Sequence, residues 1–132
     1  MSGMTAPSNT SGADGALQEL TMALRQFAAE RDWAQFHSPK NLACALSVEA
    51  AELLEQFQWL TDAQSEDLSA GQRVAVGREM ADVLLYLLQI ADRLRIDLVA
   101  AAREKLELNA RKYPVERARG SSRKYDEAQE DR

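Results

Sequence analysis

The sequence predicts an all-α protein. Apolar residues recur at helical spacing in several separate stretches, period-two alternation is never sustained, and β-branched and aromatic residues are scattered rather than clustered. With 132 residues, 45% of them hydrophobic and 28% charged, the chain has the size and composition of one soluble globular domain. The expectation is a bundle-like subunit of four to five helices.

Residues 1–15, MSGMTAPSNTSGADG, carry neither a basic cluster nor an apolar run, so they read as a disordered tail rather than a signal peptide or membrane anchor. Leu17, Leu20, Ala23, Leu24 and Phe27 mark a first amphipathic helix over about 16–31. The stretch DWAQFHSPKN interrupts it. Ser38 followed by Pro39 is a helix start, because the serine caps and the proline's missing N–H costs nothing at the first helical position. The second helix is expected over 39–60, followed by a polar loop with a short turn over 61–71. Helical periodicity resumes from Gln72 to about Leu94, with Gly77 tolerated at roughly 1 kcal/mol relative to alanine. Asp97 can cap a fourth helix that ends before Pro114, which gives a helical domain over 16–113. A basic segment follows over 114–125, and residues 126–132 read as a second disordered tail.

The third helix contains VLLYLLQIA, which is apolar nearly all round. A chain this short has few helices with which to cover it, so burial against further copies, in a homo-oligomer, is expected. A central helix wrapped by its own three neighbours is the alternative. The net charge of −5 argues against a nucleic-acid polymer as partner, and no segment suggests a membrane. A single cysteine, Cys44, forms no internal disulfide, which fits the cytoplasm. Lying among Leu42, Ala43, Ala45 and Leu46 with no histidine near it in sequence, it reads as a small core residue and not a nucleophile.

The chemistry lies in two acidic pairs. Glu49 and Glu52 are spaced i, i+3, as are Glu79 and Asp82, so each pair shares a helix face. Leu46, Val48, Leu53 and Leu54 surround the first pair, and Val83, Leu84 and Leu85 follow the second. Carboxylates so placed are partly desolvated and repel one another unless a cation neutralises them. An all-oxygen ligand set suits Mg²⁺, with Mn²⁺ as the alternative, because zinc and di-iron sites call for histidine or thiolate, and His37 lies outside both pairs. Magnesium keeps waters and substrate phosphates in its shell, so such a site predicts a phosphorylated substrate. The plain alternative is a pair of solvated helix faces. Glu55 stays undecided between a base and a surface acid.

These residues resemble a known family, the MazG-like all-α nucleoside triphosphate pyrophosphohydrolases, whose pattern is Glu-x-x-Glu, a spacer, then Glu-x-x-Asp. Here the two motifs are EAAE from Glu49 and EMAD from Glu79, with 26 residues between them. FAAERDWAQFHSPKN, FQWL, DVLLYLL, NARKYPV and RGSSRKY resemble the dCTP pyrophosphatase group within it. The resemblance covers residues 17–125. It implies Mg²⁺-dependent cleavage of a nucleoside triphosphate, dCTP or a modified dCTP, to monophosphate and pyrophosphate, in a cytoplasmic homotetramer that cleans the nucleotide pool; a dimer is the alternative assembly.

The resemblance also implies roles for single residues. Glu49, Glu52, Glu79 and Asp82 match metal ligands, Trp33 and Trp59 match aromatics of the base pocket, and Tyr86 matches a residue near the phosphates. Lys105 and Asn109, one turn apart on the fourth helix, look like further substrate-side groups, and His37 reads as a local structural or gate residue at the substrate. Six basic residues between Arg111 and Lys124, Arg119 and Lys124 among them, face a single acid, Glu116, so the 114–125 segment can fold over a triphosphate. A departure from the resemblance stands at Leu24, three residues before FAAERDW, where the vertebrate dCTP-preferring members carry a histidine; if that histidine helps to read the base, cytosine preference is a less secure expectation here than triphosphate hydrolysis. The competing expectations are the same hydrolysis with another nucleotide preference, and a non-enzymatic helical module whose apolar third helix binds a partner.

Overall fold

A computed structural model describes residues 12–123. Most of the expected N-terminal tail, and the chain from Lys124 onward, lie outside the described residues. Six helices follow in order: α1 (Gly12–Glu30), α2 (Pro39–Glu55), α3 (Asp62–Glu66), α4 (Ala70–Leu94), α5 (Leu98–Lys112) and α6 (Val115–Ala118), with a 3-10 turn at Ala34–Phe36. No strand occurs among the described residues, so the all-α expectation holds. Nor is any described helix long and apolar enough to cross a membrane.

Helix ends follow the capping chemistry. Ser38 caps α2, its hydroxyl accepting from the Asn41 N–H at 3.1 Å, with Pro39 in the first turn. Asp97 caps α5 by accepting from the Ala100 N–H at 3.0 Å. Three boundaries differ from expectation. α1 starts at Gly12, so residues 12–15 are helical. α2 stops at Glu55, and residues 56–60 form turns. The polar 61–71 stretch contains α3, because Thr61 and Gln64 form a reciprocal capping box; Ser69 and Gln72 form a second one that starts α4 at Ala70.

Two helices end on non-glycine residues in the left-handed region. Asp32 (φ 53°) ends α1, with Trp33 N–H donating to Ala28 O at 2.9 Å and Asp32 N–H to Ala29 O at 3.2 Å. Arg95 (φ 54°) ends α4 in the same way through Ala91 and Asp92. An L-residue there carries a steric penalty that glycine avoids. Arg95→Gly is therefore expected to raise stability by about 0.5–1 kcal/mol in urea unfolding; a loss of stability would show that the Arg95 side chain matters more than its backbone.

The chain divides into two compact units, Met1–Ile96 and Asp97–Arg132. In the first, α4 is the central element, packed chiefly against α2 and also against α1. Its buried residues are Ala28 on α1, Leu42 on α2, and Val76, Leu88 and Ala91 on α4. α1 is tied to α4 by Arg25 and Asp92: Arg25 Nε donates to Asp92 Oδ2 at 2.9 Å and its Nη2 to Oδ1. Arg93 Nη2 donates to Ala34 O, which fixes the 3-10 turn on the same helix. The second unit holds α5 and α6 in its described part.

Cys44 corrects an expectation. It is exposed, because its sequence neighbours are not its neighbours on the helix: Leu42, the buried residue of α2, lies about 200° around the axis from it.

Candidate metal centre and adjoining cavity

The i, i+3 spacing on α2 and on α4 brings the acids together. Glu49, Glu79 and Asp82 each offer a carboxylate oxygen, and the three atoms lie within 4.8 Å of one another. Glu52 stands beside them, acting on both Glu49 and Glu79. Glu49 and Glu79 are half-buried while Asp82 is exposed, so the cluster opens to solvent on one side. Glu55 is exposed.

Hydrogen bonding, burial and like charge together raise the carboxyl pKa values of Glu49 and Glu79. Glu49 is pushed up to about 7, first by a hydrogen bond with the Glu52 carboxyl that favours the protonated form, then by desolvation and the charges of Glu52, Asp82 and Glu79. Glu79 is also raised, first by desolvation and then by Glu52 and Asp82. One oxygen of each, Glu49 Oε2 and Glu79 Oε2, is closed off from solvent without a hydrogen-bond partner. Buried polar atoms normally have partners. Two orphaned anionic oxygens in a cluster of four acids fit a divalent cation, and an all-carboxylate donor set fits a hard one.

A cavity of about 270 Å³ lies in the same unit, lined by residues of α1, the 3-10 turn, α2 and α4, with Leu24, Ala28 and Leu42 on its apolar side. Its position follows from helix register. Leu42 lies seven residues before Glu49 on α2, and Gln89 seven residues after Asp82 on α4. The two helices run antiparallel, so both steps lead the same way, two turns or about 10.5 Å along one seam.

Of the other expected site residues, His37 lines this cavity and stands edge-on to Trp33, ring centroids 6.5 Å apart. Trp33 in turn meets Phe27 at 5.7 Å, edge to face, and the Arg31 guanidinium lies 3.5 Å over the Phe27 ring. Tyr86 is half-buried on α4, one turn after Asp82. Trp59, in the turn after α2, is 86% exposed and does not line the cavity. Lys105 (exposed) and Asn109 (half-buried) are on α5, and Arg119 is exposed just after α6, all in the second unit. Lys124 lies outside the described residues. Sequence reasoning missed Arg25, Gln89, Asp92 and Arg93 as cavity residues. The signal available on α4 was the i, i+7, i+11 spacing of Asp82, Gln89 and Arg93 along one face.

The class follows from the sequence of this all-α unit: residues 44–127 match the MazG-like family, and the chain belongs to it. Its relatives include the human dCTP pyrophosphatase 1, 47% identical over 113 residues and 84% of this chain, and the bovine dCTP pyrophosphatase 1, 44% identical over 111 residues and 83% of this chain. The chain spans 66% of the length of each, just under two thirds. Among solved structures, a pyrophosphatase from Archaeoglobus fulgidus superposes with a TM-score of 0.71 at 42% identity, covering 75% of this chain and 93% of that one.

Proposed function

We propose that this chain is a nucleoside triphosphate pyrophosphohydrolase that converts dCTP, or a modified dCTP, to the monophosphate and pyrophosphate. The carrying observation is the cluster of three carboxylates, Glu49, Glu79 and Asp82, with Glu52 beside it and two orphaned oxygens, in a chain whose relatives are named dCTP pyrophosphatases. Glu49, Glu79 and Asp82, with Glu52 as fourth ligand, hold Mg²⁺, with Mn²⁺ as a substitute. When bound, the cation polarises a phosphoryl group and lowers the pKa of a bound water.

The chain's own groups do the rest. The cavity takes the base, its apolar side excluding water, with His37 in its lining and Trp33 against the His37 ring. The register of α2 and α4 sets about two helical turns between base and cation cluster. Tyr86 lies between the two on α4 and faces the phosphates. Lys105, Asn109, Arg119 and Lys124 supply positive or hydrogen-bonding contacts to the triphosphate and to the leaving pyrophosphate; residues 16–113 form the catalytic domain and 114–125 its covering segment.

We further assign a homo-oligomer, with a tetramer favoured over a dimer. Val48, Leu54, Trp59, Val74 and Met80, each more than half exposed, give α2, its following turn and α4 apolar surface of the kind that marks association. The indole of Trp59 is then available to a second copy. Light scattering is expected to give the mass of four 14.7 kDa chains; the mass of one chain would refute assembly. The cytoplasm is assigned on the single free cysteine.

The decisive assay is pyrophosphate release from dCTP with Mg²⁺, paired with thermal melting. A bound ligand raises the melting temperature, so dCTP with Mg²⁺ is expected to do so and to yield dCMP. A protein that neither shifts nor cleaves any triphosphate would instead be a helical interaction module.

A further inference from the structure

The polar side chains around the cavity are Thr21, Arg25, His37, Gln89, Asp92 and Arg93. Most are already committed. Thr21 Oγ1 donates to Leu17 O at 2.9 Å, Arg25 and Asp92 bind one another, Arg93 is held by Ala34 O, and His37 sits against the edge of Trp33.

Gln89 differs. It is half-buried, and its Nε2 donates one hydrogen to Leu85 O, one turn back, at 3.2 Å. A carboxamide has two donor hydrogens and an acceptor oxygen. Among the described residues, the second hydrogen and Oε1 have no partner. The Leu85 bond also fixes the order of the two ends, because turning the amide over would set Oε1 against a carbonyl oxygen. The cavity is therefore offered an acceptor and a donor side by side, in a set sequence, two turns along the seam from Asp82.

From this geometry we propose that Gln89 is the specificity-determining residue for the base, with Oε1 accepting from the exocyclic amino group of cytosine and Nε2–H donating to ring N3. The inference rests on the hydrolase reading above. Uracil and thymine present the reverse order, a carbonyl and an N3–H. Gln89 can meet them only by turning over and losing Leu85, or by leaving buried groups unpaired, which is how a hydrogen-bonding site rejects an analogue. Reading of this kind belongs to α4 and does not require the histidine that Leu24 replaces.

The test compares pyrophosphate release from dCTP, dUTP and dTTP by the full chain with Mg²⁺, for the parent, Gln89→Met and Gln89→Glu. Methionine keeps the length of the side chain and removes the hydrogen bonds; glutamate keeps the acceptor and loses the donor. The ratio of kcat/KM for dCTP over dUTP is expected to fall at least about tenfold in Gln89→Met, chiefly through KM for dCTP, with dUTP little changed. It falls in Gln89→Glu as well, because a carboxylate faces the N3 lone pair. An unchanged ratio in a Gln89→Met protein that melts like the parent overturns the assignment, as does a parent that prefers dUTP. Should the methionine variant not fold, the glutamate variant decides by the same ratio. A parent that cleaves no triphosphate overturns the hydrolase reading and this inference with it, whereas an unchanged ratio in an active enzyme overturns this inference alone.

Discussion

Glu49→Gln is expected to lower pyrophosphate release by at least about 100-fold while raising the melting temperature of the metal-free protein. Glutamine has nearly the shape of glutamate and keeps one oxygen, so packing is preserved. What goes is a charge. Three carboxylate oxygens within 4.8 Å would hold a cation by their combined negative charge, and without a cation the same charges repel one another. Neutralising one therefore weakens metal binding and relieves the empty cluster. The two readouts move in opposite directions, which a merely structural glutamate would not produce. Steady-state turnover with Mg²⁺ and thermal melting in EDTA check the pair, and near-parental turnover would remove Glu49 from the ligand set.

The second large effect is on stability against pH, and metal changes its sign. Glu49 titrates at about 7 in the folded chain against an ordinary 4.5, and Glu79 is shifted the same way. A carboxyl whose folded pKa is raised stabilises the protein fully below its unfolded value, and that contribution is lost as pH rises through the folded one. Metal-free protein should thus melt at steadily lower temperature from about pH 5 to about pH 8. Asp92 acts oppositely, because the hydrogen bond from Arg25 holds its pKa below 3.8. Its contribution is present above that value and lost in acid. A cation binds the deprotonated cluster, so the rise in melting temperature given by Mg²⁺ should grow with pH, and binding below about pH 7 should release protons. Calorimetry with EDTA and with Mg²⁺ across this range measures both. Identical profiles in the two conditions would mean that the cluster holds no cation.

Much of this was legible before any coordinates. Helical periodicity and two cap residues, Ser38 and Asp97, located the starts of α2 and α5 because capping is local chemistry. The acidic pairs were legible because i, i+3 spacing leaves a helical face no freedom. The capping boxes at Thr61 and Ser69 are equally local, but they lie in a stretch whose polar composition reads as loop. Cys44 is exposed despite its apolar sequence neighbours, because adjacency along the chain is not adjacency on the helix surface. Gln89 escaped because it lies inside an apolar run, where one amide looks incidental until the cavity beside it is seen. Trp59 is a different case: the resemblance matches it to a base-pocket aromatic, its side chain is 86% exposed in a single chain, and periodicity along one chain carries no information about a second copy.

The unbroken run of α4 from Ala70 to Leu94 has a consequence for how this fold could diverge. Asp82 and Gln89 ride on one rigid screw, so a single inserted or deleted residue between them would swing one group about 100° away from the other. No loop stands between them to absorb the change. New substrate preferences in this lineage should therefore arise by exchanging side chains at fixed spacing, with indels confined to the connections on either side.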